Sequence, residues 1–293
     1  MPAIVLMLLA ACSPKRLAVN VVGNAISGET SVYLSDNDPD LVREAIPFGL
    51  KTYESLLEVS PRHRGLLLSA ASGFVSYAYL LSLEADRTDA DDYDAAQSLR
   101  ERAKKLYLRG RDFALRGLAL KIPDFAERLK SDPDAALAAT EERDVPFLYW
   151  AAASWAGALS AGKTDTALIA DLPLSGKMMA RVIELDPEFN DGAAYEFLTY
   201  YEGTRPGGDA AKAREHFAKA LAISNGARAS VFLALAEGVA VNEQNADEFL
   251  NLLERTSAVD EDAAPDNRLV NVIAKRRAAW LRERMPDLFL DLE

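Results

Sequence analysis

The sequence predicts an all-α protein in which helix pairs stack into a solenoid, with irregular, longer pairs in the N-terminal half. Helix-start and helix-end signals recur along the chain from residue 36 onward, and apolar residues follow helical spacing between them. No run of Val, Ile and Thr alternates with the period of two that a half-buried strand requires. The pattern therefore predicts helices alone.

The predicted helices follow one another from residue 38 to residue 284. Asp38-Pro39 has the N-cap and first-turn proline that begin a helix, and Pro47 predicts a kink within it. In the N-terminal half, helices are predicted over residues 38–59, 61–84, 94–120 and 145–162, with a shorter stretch opening at Pro123. In the C-terminal half they are predicted over residues 174–185, 191–202, 209–223, 227–242, 246–259 and 266–284.

The clearest repeat unit lies in the C-terminal half. It reads Ala213-x3-Phe217-x2-Ala220-Leu221, and Ala194-x2-Phe197-Leu198-x2-Tyr201 precedes it. Small residues at the points where two helices touch, with large residues filling the gaps, are typical of tetratricopeptide repeats. The fold predicted is therefore a tetratricopeptide-like helical-repeat solenoid.

The N-terminus predicts a bacterial lipoprotein. Leu9-Ala10-Ala11-Cys12 ends a short apolar run in the pattern of a lipobox, whose cysteine accepts the lipid, although no Lys or Arg precedes it. We predict a signal peptide over residues 1–11, a lipidated tether over 12–35 with little helical structure, and the helical-repeat domain over 36–293. The alternative is an apolar N-terminus with a buried cysteine.

Charge and composition exclude several classes of function. The net charge of −12 would repel nucleic-acid phosphates, so no nucleic-acid partner is expected. One cysteine and two distant histidines, His63 and His216, do not provide a zinc site, so neither a metal nor another cofactor is expected. The uncharged stretches 65–83 and 145–162 are long enough for membrane spans, but their Ser and Ala content favours core helices.

One motif points to catalysis. Gly157-Ala158-Leu159-Ser160-Ala161-Gly162-Lys163-Thr164 fits the P-loop pattern, which would make the protein a nucleotide-binding enzyme. That chemistry needs a preceding strand, whereas this pattern ends an apolar helix. Leu168-Ile169-Ala170-Asp171, a poor match to the partner motif, is predicted to be a loop. We therefore expect no catalytic residues and no enzyme.

Aromatic side chains provide the candidate ligand contacts. Tyr149, Trp150 and Trp155 lie on one predicted helix, and Tyr195 and Tyr201 lie on a later one. Aromatics at this density belong either to the core or to an apolar ligand path. These five residues are our candidates for the ligand path.

Several segments together resemble one family. They are the lipobox followed by Ser13-Pro14-Lys15-Arg16, the segments Phe147-Leu148-Tyr149-Trp150-x4-Trp155 and Leu172-Pro173-Leu174-Ser175-Gly176-Lys177, and the tail from Phe232 to Leu253. Their order and spacing are similar to the TatT component family, the tetratricopeptide-repeat lipoproteins associated with TRAP transporters.

The resemblance implies a periplasmic lipoprotein anchored by acyl chains on Cys12, with the outer membrane slightly favoured. It also implies a homotrimer that docks the substrate-binding P component of a TRAP transporter, and a channel that passes or holds an apolar ligand. No enzyme activity comes with the family. The alternative is an envelope assembly or scaffolding lipoprotein that binds peptides or proteins in a solenoid groove.

Overall fold

The computed structural model describes residues 14–27 and 31–290. Every regular element in these two ranges is a helix, which confirms the predicted all-α class. The first eight are α1 (Pro14–Ile26), α2 (Ser31–Leu34), α3 (Pro39–Val59), α4 (Arg64–Thr88), α5 (Tyr93–Ala119), α6 (Phe125–Ser131), α7 (Pro133–Ala138) and α8 (Val145–Ala161). The others are α9 (Thr166–Leu185), α10 (Phe189–Thr204), α11 (Ala210–Ile223), α12 (Ser230–Leu235), α13 (Ala246–Ala258), α14 (Arg268–Glu283) and α15 (Met285–Leu288).

The N-terminal region differs from the prediction. Cys12 and the predicted signal peptide lie outside the described residues. The prediction of little helical structure over residues 13–35 is wrong for α1, which occupies Pro14–Ile26. Helix α3 is one continuous element that contains Pro47. The assignment of residues 12–35 as a tether stays a prediction.

Two helix starts also differ from the prediction. Ser60 ends α3, and His63 is the N-cap of α4, where its Nδ1 accepts a hydrogen bond from the Leu66 backbone N–H at 3.2 Å. Helix α9 begins at Thr166, so the predicted loop at residues 168–171 is helical. Asp165 caps α9 by accepting from the backbone N–H groups of residues 167 and 168, which satisfies donors that a helix start leaves open.

Helix α4 runs through the N-terminal half with buried residues on most sides. It is long and apolar enough to cross a membrane, but 61% of its most apolar stretch is buried inside the protein. It packs against α3, α5 and α8. Leu66, Leu67 and Phe74 are buried among these neighbours, as expected of a core helix.

The C-terminal half has the small-residue contacts that the repeat pattern predicts. Ala213 and Ala220 on α11 are fully buried, and α11 packs against α10 and α12. A π-helical turn, Ala236–Ala240, continues α12. These helix pairs are consistent with a tetratricopeptide-like arrangement.

The last long helix returns to the beginning of the fold. Arg276 on α14 forms an ion pair with Asp40 on α3 at 2.8 Å, across 236 positions of sequence. Arg268 donates from Nη1 to the Ser35 carbonyl oxygen at 3.0 Å. These contacts, which we call the seam, close the run of helices on itself.

Candidate ligand cavity

A cavity of about 670 Å³ lies between the seam and the inner faces of the helices. This volume is within the range of sites that hold small molecules. Its walls come from α2, α3, α4, α8, α14 and the segments that precede α12 and α14, together with the start of α10. Residues far apart in sequence therefore meet around one space.

One wall carries the hydroxyl groups of α4. Ser69, Ser72 and Ser76 follow helical spacing on one side of α4, and Tyr79 continues the row. The Ser72 hydroxyl donates to the Ser69 carbonyl oxygen at 3.3 Å. Three serines of the uncharged stretch of α4 thus line the cavity, while Leu66, Leu67 and Phe74 are buried in the core.

Aliphatic side chains form another wall. Helix α3 contributes Val42, Ile46 and Leu50, and the first turns of α14 contribute Leu269 and Ile273. Because α14 reaches this position through the seam, the seam completes the apolar part of the cavity.

Two aromatic residues of α8 also line the cavity. The rings of Tyr149 and Trp150 meet edge to face at 5.0 Å, and the ring of Phe189 is 5.3 Å from that of Tyr149. The Trp150 Nε1 is buried, and the part of the chain that the structure describes offers it no hydrogen-bond acceptor. The pair presents aromatic surface and one open donor.

A polar group of residues, which we call the polar mouth, lines one part of the cavity. Arg228 donates from Nε to Glu196 at 2.6 Å and from Nη1 to the Asn267 Oδ1 at 3.1 Å. Asn267 in turn donates from Nδ2 to Asp191 at 2.7 Å. Burial opposes the charge of Arg228, but Glu196, Tyr149 and Asp191 together outweigh burial and raise the pKa of the guanidinium above its usual value.

The backbone at the start of α10 places Asp191 in the polar mouth. Asn190, Asp191 and Gly192 all have positive φ, at 46°, 55° and 81°, and they interrupt the helical geometry between Phe189 and the rest of α10. Left-handed backbone is accessible to Asn, Asp and Gly more readily than to other residues. This sequence therefore permits the turn that brings the Asp191 carboxylate to Asn267.

Two tyrosines lie near the ion pair between Arg277 on α14 and Glu237. Tyr79 on the cavity wall and Tyr200 on α10 both interact electrostatically with Glu237, which forms an ion pair with Arg277 at 2.7 Å. Burial, reinforced by Glu237, raises the pKa of Tyr200 to about 12, and it raises the pKa of Tyr79 further. Tyr79 is nevertheless 43% exposed, as expected of a ring that faces an internal space.

The structure separates the five predicted ligand contacts. Tyr149 and Trp150 line the cavity, whereas Trp155, Tyr195 and Tyr201 do not. Trp155 is only 1% exposed, in the core beneath Arg111 and Lys130.

The other two tyrosines pack against neighbouring aromatic rings. Tyr195 contacts His216 with ring centres 6.0 Å apart, and Tyr201 stacks on Phe197 at 5.9 Å. The α10 residues on the cavity are Asn190 and Asp191 at its start, whereas Tyr195 and Tyr201 lie further along the helix.

The P-loop pattern has no phosphate-binding geometry. Gly157 lies inside α8, where a Cβ would come 2.4 Å from the ring of Tyr107. Gly162 ends the helix, and Lys163 is exposed beyond it. These glycines serve helix packing and helix termination. Among residues 14–27 and 31–290, no group of three or more His, Cys, Asp and Glu is arranged to hold a metal ion.

Comparison with known proteins identifies the family. A family model described as the TRAP transporter T-component matches residues 35–289, nearly the whole chain. The chain belongs to this family. The membership inferred from the sequence is therefore confirmed, and with it the role of an envelope-associated accessory component of a TRAP transporter.

This T-component chain is also similar to an uncharacterized protein of Treponema pallidum (strain Nichols). The two are 29% identical over 307 aligned positions, covering 97% of this chain and 95% of the relative. The likeness therefore extends over nearly the full length of both chains.

Proposed function

We propose that this T component is a periplasmic lipoprotein that docks the substrate-binding P component of a TRAP importer and holds a ligand in its cavity. The observation that carries the ligand part is the cavity itself, about 670 Å³ and lined by aromatic and aliphatic side chains. Tyr149 and Trp150 are the ligand contacts in this proposal.

An uncharged fluorescent probe tests the ligand part. N-phenyl-1-naphthylamine is apolar and brightens when it leaves water, so the wild-type chain should raise its fluorescence saturably. Trp150→Ala should lower the probe's affinity because it removes an aromatic wall. Trp280→Ala, at a tryptophan that does not line this cavity, is the matched control and should keep the affinity. Equal affinities for the two variants would count against the cavity as the site.

Co-elution tests the docking part. The chain and the P component of the same transporter, mixed at micromolar concentration, should elute together from a size-exclusion column. Failure to co-elute, with or without the probe present, would contradict docking. A pull-down from an envelope extract that recovers other envelope proteins in place of the P component would favour the scaffolding alternative.

Lipid anchoring at Cys12 is tested by fractionation. The wild-type chain should sediment with membranes, preferentially the outer membrane, and Cys12→Ala should release it because the acyl chains are its anchor. A variant that still sediments would contradict the proposed anchor.

A homotrimer also forms part of the proposal, and exposed apolar side chains support self-association. Leu41 and Phe48 lie seven residues apart on α3, on the same side of the helix, and are 56% and 82% exposed. Light scattering should give three chains per particle. Phe48→Ser should shift this towards monomer, whereas Glu58→Ser, elsewhere on α3, should not. A monomeric wild-type chain would contradict the trimer.

A further inference from the structure

Three exposed carboxylates on the cavity wall, Glu188, Asp191 and Asp266, form no ion pair within the described residues, although Arg228 lies close enough to Asp191 to interact with its charge. Glu188 and Asp266 carry no side-chain hydrogen bond or ion pair with any residue in the described ranges, and Asp191 accepts only from the uncharged Asn267. We include Glu188 and Asp266 in the polar mouth because both line the cavity, Glu188 three positions before Asp191 and Asp266 directly before Asn267.

The arginine of the polar mouth offsets these charges only in part. Arg228 already pairs with Glu196 at 2.6 Å, and the two side chains are 13% and 19% exposed. A neutralised pair contributes little net charge to a ligand beside it. The polar mouth therefore carries close to three negative charges from Glu188, Asp191 and Asp266.

Helix dipoles reduce this charge but do not cancel it. Two helices, α10 and α14, begin at the polar mouth, and each helix start is equivalent to about half a positive charge. Together they offset roughly one of the three carboxylates. A net negative potential remains, and it favours cations over anions at this end of the cavity.

Aromatic rings line the same cavity as these carboxylates. The ring of Tyr149 contacts Phe189, which directly follows Glu188, and Trp150 meets Tyr149 edge to face. Aromatic faces next to carboxylates bind ammonium groups well, because the ring quadrupole and the carboxylate attract the same charge. The rest of the cavity is lined by aliphatic side chains from α3 and α14.

We infer that the cavity takes an amphiphilic organic cation, an amine or quaternary ammonium compound with an apolar body. The charged group lies at the polar mouth beside Glu188, Asp191 and Asp266, and the apolar body lies between α3 and α14. The volume and aliphatic lining suit an organic molecule rather than a bare metal ion. This inference rests on the proposed ligand-holding function of the cavity.

Competition among three matched compounds tests the inference. Octyltrimethylammonium, 1-octanol and octanoate share one chain length and differ in charge, and each displaces N-phenyl-1-naphthylamine from the full chain carrying Cys12→Ser to prevent acylation. Octyltrimethylammonium should bind roughly tenfold more tightly than 1-octanol, and octanoate should bind most weakly. Raising the salt concentration should weaken the binding of octyltrimethylammonium and leave the binding of 1-octanol unchanged.

Charge-neutralising variants locate the effect. Glu188→Gln and Asp266→Asn should each lower the affinity for octyltrimethylammonium about threefold. This is the contribution expected of one carboxylate roughly 6 Å from the ammonium group in a water-like dielectric. Neither should change the affinity for 1-octanol. Glu283→Gln, an exposed acidic residue roughly 25 Å further along α14, is the matched control and should change neither affinity.

Two results would overturn the inference, and they differ in their meaning. If the probe binds but the three compounds compete equally, or octanoate competes best, the carboxylates do not select a cationic ligand and the inference fails. The proposed ligand-holding function would still stand. If the probe and all three compounds fail to bind the correctly folded chain, the ligand part of the proposed function fails with the inference.

Discussion

Arg276 and Arg277 are neighbours on α14 whose ion pairs have similar lengths in different surroundings. Arg277 is 13% exposed and donates to Asp86 at 2.9 Å and to Glu237 at 2.7 Å. Arg276 is 43% exposed and donates to Asp40 at 2.8 Å. Replacing each arginine with methionine keeps most of the side chain's length and removes the charge, so the two variants compare a buried with an exposed contact.

The two substitutions should lower the free energy of unfolding by amounts that differ several-fold. Breaking a buried ion pair by removing one partner costs about 3–5 kcal/mol, because the remaining charge is left desolvated and unpaired. Glu237 and Asp86 are 25% and 34% exposed, and Asp86 keeps Arg100 at 3.5 Å. These features reduce the expected loss for Arg277→Met to about 2–3 kcal/mol. Arg276→Met should cost about 0–1 kcal/mol, as exposed pairs do.

Urea denaturation followed by far-ultraviolet circular dichroism measures both values. Adding Glu237→Gln to Arg277→Met should recover part of the loss, because it neutralises a carboxylate that the first change left unpaired. Equal losses for the Arg276 and Arg277 variants would refute the reasoning from burial. No recovery in the double variant would show that the loss comes from packing, including the contact of Arg277 with the Trp280 ring at 4.3 Å.

Three further predictions concern residues away from the seam. Gly157→Ala should cost about 1–2 kcal/mol in urea denaturation, since the clash with Tyr107 exceeds the gain in helix propensity. Gly49→Ala, in α3 with its nearest neighbour 3.9 Å away, should instead gain about 0.5–1 kcal/mol, and equal signs would contradict the packing argument. Burial lowers the pKa of His216 below its ordinary 6.5, so its neutral form stabilises the fold above that pH. This contribution is lost as the pH falls through the folded-state pKa, and His216→Gln should flatten that part of a stability–pH profile; an unchanged profile would exclude His216 as its cause. Lys163→Ala, at an exposed position, should change the free energy of unfolding by less than about 0.5 kcal/mol. Equilibrium dialysis of the wild-type chain should show no saturable ATP binding, and ATP binding lost in Lys163→Ala would revive the P-loop interpretation.

Local signals in the sequence were sufficient for most of the helices. Asp38 caps α3 as predicted, and the apolar spacing placed α5, α8 and α13 within a few residues of their observed bounds. The signals failed where a helix carries residues that usually interrupt one. Because of Pro173, the first turns of α9 were not predicted as helix. Because of the glycines and serines near the N-terminus, α1 was not predicted either.

The cavity was harder to predict because it depends on which face of a helix looks inward. Trp150 and Trp155 are five residues apart, which turns them about 140° from each other on a helix. One lines the cavity and the other is buried in the core. The position of Arg228 on the cavity could not be predicted either. Its partners Glu196 and Asn267 lie 32 and 39 positions away in sequence and contact it only in the folded chain.

The seam contacts should form late in the folding of this chain. Stacked helix pairs form contacts mainly with their sequence neighbours, so most of the body can fold from short-range encounters. The pairing of Arg276 with Asp40 joins positions 236 residues apart and must await the end of the chain. The cavity is therefore complete only once α14 packs against α3, and a chain cut short before α14 should retain a helical body that lacks the cavity wall formed by Leu269 and Ile273.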